Sequence, residues 1–193
     1  MVLLKEAKEH SDTALVAKCR QGESWAFDEL VRRYKDRVYS IVYRFLGNRE
    51  DALDVSQEVF VRAYRGIDGF RGQAKVYTWL YCIAANLARN RLRDSKRKGR
   101  DQGTSIEALG GSLPGKGHNP RQAAQAHELD DTLQHCLDEL PEHYRTAFVL
   151  RTFEDMSYEE IAQTLTCPVG TVKSRINQAR SMLRNRLQEL ALL

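Results

Sequence analysis

The sequence lacks any long hydrophobic run, and this absence excludes a membrane-spanning helix. No apolar stretch in the 193 residues approaches the roughly 18–20 residues that such a helix needs. The apolar stretch near the N-terminus is three residues long, from Val2 to Leu4, which is too short for a secretory signal peptide. We therefore expect a cytoplasmic protein.

Cysteine and histidine are scarce and scattered, which argues against a metal site. The four cysteines form no C-x-x-C pair, and the five histidines form no H-x-x-x-H pattern. Isolated thiols in a cytosolic protein are typically small core residues. The sequence also lacks a G-x-x-x-x-G-K-[ST] loop and any paired nucleophile and histidine. We expect no metal, no cofactor, no small-molecule substrate and no enzymatic activity.

The net charge of +4 conceals a strong segregation of charge along the chain. Residues 89–100 carry seven Lys/Arg and one acid, and residues 171–186 carry five Lys/Arg and no acid. Between them, residues 126–160 carry ten Asp/Glu and two Arg. Alternating blocks of this kind indicate more than one class of partner.

No persistent alternation of apolar and polar residues indicates a strand. Apolar residues instead recur at the helical spacings of three and four, most clearly over residues 27–45. Residues 96–123 hold six of the twelve glycines and two of the four prolines, so they are predicted to be a flexible linker. The sequence thus predicts an all-α protein of two small domains. The first is an N-terminal helical bundle at residues 11–95, and the second is a C-terminal helix-turn-helix domain at residues 124–193.

The C-terminal domain carries the helix-turn-helix pattern. An S-x-x-E capping box begins at Ser157, and a turn at Thr166 leads into a basic helix that runs to about Leu190. At 100° per residue, one side of this helix is apolar and the opposite side carries Lys, Asn, Ser and Arg. These residue types contact base edges and phosphates in a major groove. DNA binding is therefore favoured over a merely solvated basic face.

Two surfaces of the N-terminal domain are open to two interpretations from the residues alone. The helix from about Glu50 to Tyr64 places acidic side chains on one face, which suits either docking of a basic protein or plain solubility. The helix from Tyr77 to about Asp94 combines aromatic and cationic side chains. These could hold unpaired bases and their backbone, or could form a core with solvated charges around it.

Three segments together resemble the extracytoplasmic-function branch of the sigma-70 family. They are DALDVSQEVFVRAYRGIDGFRG at 51–72, YTWLYCIAANLARN at 77–90 and SYEEIAQTLTCPVGTVKSRINQARSMLRNRL at 157–187. The resemblance implies a transcription initiation factor that binds core RNA polymerase, directs it to promoters and helps to melt them. It further implies control by an anti-sigma factor, often membrane-anchored, which would sequester the chain at the inner membrane.

The resemblance also implies three sets of site residues. Contact with the β′ clamp helices of the polymerase falls to Asp51, Asp54, Gln57, Glu58 and Phe60. Recognition and melting of the −10 element fall to Phe70, Arg71, Tyr77, Trp79, Asn86, Arg89 and Asn90. Recognition of the −35 element falls to Arg151, Thr171, Lys173, Ser174, Arg175, Asn177, Gln178 and Arg180. The β flap is the second implied polymerase contact.

Two positions depart from the family pattern, which often has an aromatic residue where Asn177 stands and an arginine where Gln178 stands. The −35 sequence is therefore not implied by the resemblance. The alternative function is a stand-alone helix-turn-helix regulator, which would dimerise and bind a palindrome without polymerase. The sigma-factor interpretation instead predicts no obligate homo-oligomer and weak, salt-sensitive promoter binding without polymerase.

Overall fold

The computed structural model describes residues 10–72, 74–102 and 120–190, which contain eight α-helices and no β-strand. The helices of the N-terminal half are α1 (Asp12–Arg20), α2 (Ser24–Leu46), α3 (Arg49–Gly66) and α4 (Val76–Gln102), with a 3₁₀ turn at Ile67–Gly69. The helices of the C-terminal half are α5 (Pro120–Asp138), α6 (Glu142–Thr152), α7 (Tyr158–Leu165) and α8 (Val169–Glu189). The predicted all-α fold is confirmed.

The long helix α2 ends at a glycine, as its sequence predicts. Gly47 adopts the left-handed conformation with φ +70°, and its N–H donates to the Tyr43 carbonyl at 2.8 Å. A residue with a Cβ adopts this conformation only at a cost, so glycine is the usual residue one position past a helix end. Asn48 then begins α3, because its side-chain oxygen accepts the Asp51 backbone N–H at 2.9 Å. The two helices are thereby turned back against each other.

The N-terminal core forms around α2, which packs against α1, α3 and α4. Its fully buried side chains include Leu15, Val38, Ile41, Val42, Phe45, Val59 and Tyr81. Burial of each large aliphatic side chain contributes about 1.5–3 kcal/mol. One acid also lies inside: Glu29 is only 3 % exposed and accepts hydrogen bonds from Arg32 and Arg33 at 2.7–2.8 Å. No pattern in the sequence indicates this buried ion cluster.

The C-terminal core forms where α6, α7 and α8 meet. Its fully buried side chains include Leu137, Leu150, Met156, Ile161, Val172 and Ile176. Two of these belong to the apolar stripe predicted for the last helix, so the period-3.6 pattern correctly identifies the face of α8 that packs inward.

Helical structure extends into both ends of the predicted linker. Helix α4 continues to Gln102 and α5 begins at Pro120, whereas residues 103–119 lie outside the described residues. Lys, Arg, Gln and Ala are good helix formers even without an apolar stripe, and proline fits the first position of a helix. At both edges of this segment, helix-forming residues therefore outweigh the glycine-rich composition.

The two halves of the chain contact each other directly, which the sequence analysis did not predict. Arg145 of α6 donates through Nη1 to the carbonyl oxygen of Phe45, at the end of α2, at 2.9 Å. Farther along the contact, Cys82 Sγ of α4 lies 3.0 Å from Thr164 Oγ1 of α7. We call this packing of the C-terminal half against α2 and α4 the closed arrangement.

Candidate nucleic-acid and partner interfaces

A short capped helix and a tight turn hold α8 against the C-terminal core. Ser157 Oγ accepts the Glu160 N–H at 3.1 Å, and the Glu160 carboxylate accepts the Ser157 N–H at 2.8 Å. The predicted capping box is therefore present, and these hydrogen bonds lower the pKa of Glu160. Thr166 then takes a left-handed conformation with φ +50°, and Pro168 directly precedes α8. The result is a helix-turn-helix whose second helix is fixed by its buried side.

Helix α8 has one buried side and one exposed polar side. Val172, Ile176, Ala179 and Leu183 are all at most 5 % exposed. The exposed side carries most of the residues predicted to contact the −35 element, namely Lys173, Ser174, Asn177, Gln178 and Arg180. Thr171 and Arg175 are half-buried at the edge of this side, and an Arg175 nitrogen lies 3.8 Å from Cys167 Sγ. This arrangement can present donors and cations to a DNA groove without unfolding any helix.

Tyr158 joins two of the predicted −35 residues, although the sequence analysis missed it. The Arg151 guanidinium lies 5.3 Å from the centroid of the Tyr158 ring, and the Lys173 ammonium lies 5.6 Å from it. Arg151 is fixed further by donating to the Met156 carbonyl at 2.9 Å. The ring thus holds cations from α6 and α8 side by side. The only sequence feature that could have indicated this role of Tyr158 is its place directly after the helix cap at Ser157.

The acidic face of α3 is exposed but partly neutralised. Arg91 of α4 donates through Nε to Asp51 Oδ1 at 2.8 Å, and its Nη2 lies 4.0 Å from Asp54 Oδ2. Glu58 accepts a hydrogen bond from Arg62 Nε at 2.7 Å. Asp54 retains the most exposed carboxylate of the three, with 71 % of its side chain accessible. The face offers less free negative charge than its composition indicates.

An apolar rim accompanies this acidic face and was not predicted. Leu53, Val61 and Tyr64 are among the most exposed large hydrophobic residues of the described chain, at 52 %, 42 % and 56 %. Phe60, a predicted polymerase contact, is half-buried near them, and Phe27 of α2 meets Tyr64 edge to face at 5.0 Å between centroids. Exposed apolar side chains beside charges are typical of a protein-binding surface. Helical spacing alone does not distinguish this rim from core positions.

The loop before α4 is held in place rather than left free. Arg20 of α1 donates to the carbonyl oxygens of Ile67, at 3.3 Å, and Phe70. Phe70 is buried, and its ring packs on Trp79 with 4.9 Å between centroids. The exposed side chain of Arg71 follows directly. Arg20 is therefore a supporting residue that carries no motif and that only the structure reveals.

Helix α4 divides its aromatic and polar residues between core and surface. Tyr81 is fully buried, so this ring belongs to the core, whereas Tyr77 and Trp79 are half-buried. Asn86 and Asn90 are exposed. The core interpretation therefore holds for Tyr81, and the binding of unpaired bases by the remaining residues stays a prediction.

One predicted −10 residue is already engaged within the chain. Arg89 Nε lies 3.4 Å from Glu142 Oε1 of α6, so its guanidinium forms an ion pair with a carboxylate of the C-terminal half. Within the described ranges, no group of three or more His, Cys, Asp or Glu side chains could hold a metal ion. Nor is any helix of those ranges long and apolar enough to cross a membrane.

Comparison with known proteins identifies the family. Residues 30–98 match the family model of sigma-70 region 2, and residues 130–183 match that of sigma-70 region 4. The chain is 40 % identical to the ECF RNA polymerase sigma-E factor of Escherichia coli K12 over 187 residues, which are 93 % of this chain and 96 % of the relative. It is 39 % identical to the RNA polymerase sigma-H factor of Pseudomonas aeruginosa over 186 residues, with 94 % and 96 % covered. The chain belongs to the extracytoplasmic-function group of the sigma-70 family.

Solved structures of other proteins share this fold. The sigma factor RpoE of Bartonella quintana, in complex with the anti-sigma factor NepR, superimposes with a TM-score of 0.70 at 23 % identity, over 84 % of this chain and 96 % of that chain. CnrH, in complex with the cytosolic domain of CnrY, gives a TM-score of 0.66 at 25 % identity, over 93 % and 99 %. The prediction of two helical domains is confirmed by these neighbours.

The two matched regions of this sigma factor coincide with the two helical halves. Region 2 covers most of α2, all of α3 and most of α4, and region 4 covers the end of α5 through most of α8. A sigma factor directs RNA polymerase to promoters in transcription initiation, so the predicted function is confirmed at this level.

Proposed function

We propose that this sigma factor positions RNA polymerase at promoters through three separate surfaces, with α8 recognising the −35 element. The observation that carries the proposal is the two-sided construction of α8, in which a fully buried stripe fixes the helix and five polar or cationic residues stay exposed. Lys173 and Arg180 suit phosphate contacts, and Asn177 and Gln178 suit base edges. Arg151, stacked on Tyr158, adds a cation from α6.

The second surface is α4 with its preceding loop, which would recognise and hold the melted −10 element. Asn86 and Asn90 present exposed amide groups, and Arg71 is exposed where the loop meets the helix. Phe70 packs on Trp79 and would shape the pocket rather than stack directly on a base. Capture of an unstacked base would offset the few kcal/mol that unpairing costs. Binding energy, rather than a reaction step, would drive melting.

The third surface is the acidic face of α3, which would dock on the β′ clamp helices of core polymerase. Asp54 offers the most accessible carboxylate, and Gln57 is an exposed neighbour one turn along. The apolar rim of Leu53 and Val61 would add contact area beside these polar groups. The C-terminal domain would contact the β flap. Catalysis would belong to the polymerase, and the sigma factor itself would use no cofactor, metal or small-molecule substrate.

The division of labour follows the proposed domains at 11–95 and 124–193, with residues 96–123 connecting them. Once one domain is engaged, the connection keeps the other at a high effective concentration near its target. Each domain alone would bind DNA weakly and in a salt-dependent manner. An obligate homo-oligomer is not required by this arrangement.

We further propose that an anti-sigma factor controls the chain. One structural relative, the sigma factor RpoE of Bartonella quintana, was solved in complex with the anti-sigma factor NepR. In this proposal the sigma factor acts in the cytoplasm and is held at the inner membrane when its anti-sigma factor is membrane-anchored.

Run-off transcription with purified core polymerase on a genomic fragment library tests the proposal. We expect specific initiated transcripts that disappear when Asp54→Lys and Glu58→Lys are combined, since reversed charges would repel the clamp helices. Asp36→Lys is the matched control, because Asp36 is an exposed acid on α2 away from this face. Full activity of the double variant would refute the docking surface. Tight promoter binding in gel shifts without polymerase would instead favour a stand-alone regulator.

A further inference from the structure

The acidic block of the C-terminal half lies against the N-terminal half, and the proposed function leaves this block unexplained. Residues 126–160 carry ten Asp/Glu and only two Arg. Asp130 of α5 forms an ion pair with Arg44 of α2, and Glu142 of α6 lies 3.4 Å from Arg89 of α4. Both cations belong to the half that carries the −10 surface. Negative charge from one half therefore meets positive charge of the other at defined atoms.

Two further acids of the block face the same side of the N-terminal half. Glu160 Oε1 accepts a hydrogen bond from Thr78 Oγ1 of α4 at 3.3 Å. The Glu154 carboxylate lies next to the Tyr81 hydroxyl of α4, and burial there raises the pKa of Glu154. We name Asp130, Glu142, Glu154 and Glu160 the acidic face of the C-terminal half. Three of these four residues approach α4, the helix proposed to hold the melted strand.

A cleft of about 250 Å³ lies where α7 closes over the loop before α4. Phe70, Arg71 and Trp79 line it from the N-terminal half, and Glu160 and Gln163 line it from the C-terminal half. A carboxylate therefore lies in the wall of the space beside three residues proposed to recognise the −10 element. A phosphate that approached Arg71 or Arg89 in this arrangement would meet negative charge first.

Buried hydrogen bonds fix the closed arrangement in one register. Gln134 of α5 and Arg145 of α6 are only 4 % and 8 % exposed. Arg145 Nη1 donates both to Phe45 O at 2.9 Å and to Asp138 Oδ1 at 3.0 Å, and Gln134 Nε2 donates to Asp138 Oδ1 at 3.1 Å. Because buried polar groups need partners in good geometry, such a contact specifies one relative position. We name Gln134, Asp138 and Arg145 the clasp.

We propose that the acidic face of the C-terminal half binds the −10 surface of the same chain in place of DNA phosphates and must leave before promoter DNA binds there. The inference rests on the proposed role of α4 in −10 recognition. The acidic face therefore binds a surface of its own chain. Its carboxylates pair with arginine, and a DNA phosphate would pair with arginine in the same way. The exposed side of α8 takes no part, so −35 contacts remain available while Arg89 and the cleft beside Phe70 and Trp79 are covered.

A reversible covalent lock tests the proposal. Cys82 Sγ and Thr164 Oγ1 are 3.0 Å apart, so Thr164→Cys places a second sulfur within reach of a disulfide after a small adjustment. The full-length variant is oxidised, and bond formation is measured by mass spectrometry. Binding of a fluorescent single-stranded oligonucleotide is then measured. The oligonucleotide carries the non-template −10 strand of a promoter recovered in the run-off experiment. Oxidised Cys82→Ala/Thr164→Cys, which cannot form this bond, is the control.

We expect rapid disulfide formation and a loss of strand affinity of at least about tenfold in the locked chain, reversed by a reducing agent. The control should bind the strand equally with and without oxidant. Failure of the disulfide to form would show that the closed arrangement is not populated and would overturn the inference. Equal strand binding by locked and reduced chains would also overturn it, while leaving the proposed −10 function intact. If the reduced chain bound no strand at all, the proposed function and the inference would both fail.

A charge variant supplies a second measurement that does not depend on a new bond. Asp130→Asn combined with Glu142→Gln removes two carboxylates from the acidic face while preserving shape. We expect strand affinity to rise about two- to tenfold, since each released pair contributes modestly at the surface. Glu159→Gln is the matched control, because Glu159 belongs to the same block but is exposed to solvent. Equal affinity in the double variant and the wild type would count against the inference.

Discussion

The two surfaces that we propose for DNA binding in this sigma factor are built in opposite ways. On α8, Lys173, Asn177 and Arg180 point into solvent while the other side of the helix is buried. On α4 and its loop, Phe70 is buried and Arg89 is paired with Glu142 of the other half. A surface presented by one helix needs only local structure, whereas a surface that can be covered depends on the relative position of two domains. In our proposal the first surface is available to DNA, and the second has to be uncovered before DNA binds there.

The largest effect is expected where the exposed surface depends on its buried side. Ile176→Ala removes three carbons from a side chain that is 0 % exposed in the C-terminal core. We expect the free energy of unfolding to fall by about 2–5 kcal/mol, measured in urea. Asn177→Ala, on the exposed side of the same turn, should change it by less than about 0.5 kcal/mol. Equal losses in the two variants would mean that α8 is not two-sided.

The next effect concerns DNA affinity of the exposed surface. Lys173→Glu combined with Arg180→Glu reverses two charges that we assign to phosphates. We expect transcription from a −35-dependent promoter to fall on the order of 100-fold, about tenfold for each contact. The measurement is run-off transcription with core polymerase at fixed salt. Gln188→Glu, an exposed change near the end of α8, should have little effect; a comparable loss there would indicate a non-specific charge effect.

The N-terminal half should depend on pH through Glu29. Hydrogen bonds from Arg32, then from Arg33, hold the pKa of Glu29 at about 2, below its usual 4.5, although burial opposes the shift. The folded state therefore binds this proton less readily than the unfolded state. The stabilisation is complete above about pH 4.5 and is lost as the pH falls toward about 2.

Glu29→Gln should remove this dependence and lower the free energy of unfolding at pH 7 by about 1–3 kcal/mol. Unfolding of the wild type and the variant at a series of pH values between 7 and 3 measures both effects. Asp36→Asn, at an exposed acid on the same helix, is the control. If wild type and Glu29→Gln lost stability in parallel on acidification, the assignment to Glu29 would be wrong.

The smallest effect concerns α7, the helix that touches both surfaces. Ser157→Ala removes the cap that accepts the Glu160 N–H at 3.1 Å. We expect a loss of about 1 kcal/mol in the free energy of unfolding, because one N–H at the helix end loses its partner. Ser157→Asn should retain most of the stability, since asparagine also caps helices well. Thermal unfolding of the three proteins compares them, and an unchanged midpoint for the alanine variant would contradict the cap.

Features that depend on a few neighbouring residues were predictable from the sequence. Apolar spacing over residues 27–45 gave α2, and the order of Ser157 and Glu160 gave the capping box, because both patterns are fixed within two helical turns. The stripe of α8 followed from the same period. In each case the deciding interaction links residues three or four positions apart.

Features that link distant residues were not predictable. Arg145 caps the carbonyl of Phe45 across 100 residues of sequence, and no residue type marks a carbonyl that accepts such a bond. In the sequence, Glu29 resembles an exposed acid, because it stands close to two arginines of a charged segment. In the structure its carboxylate is buried and accepts hydrogen bonds from both Arg32 and Arg33. The acidity of α3 was visible, but its partial neutralisation by Arg91 from another helix was not.

The glycine at the end of α2 has a consequence for how far apart the two halves can stand. A Cβ at Gly47 would collide with the Asp138 carboxylate, so the backbone of one half touches a side chain of the other with no room between them. A methyl group at this point would push the Asp138 carboxylate away from Gln134 and Arg145, and so would loosen the contact between the halves without altering any residue proposed to meet DNA or polymerase. The close approach of the two halves therefore depends on a residue without a side chain at the end of α2.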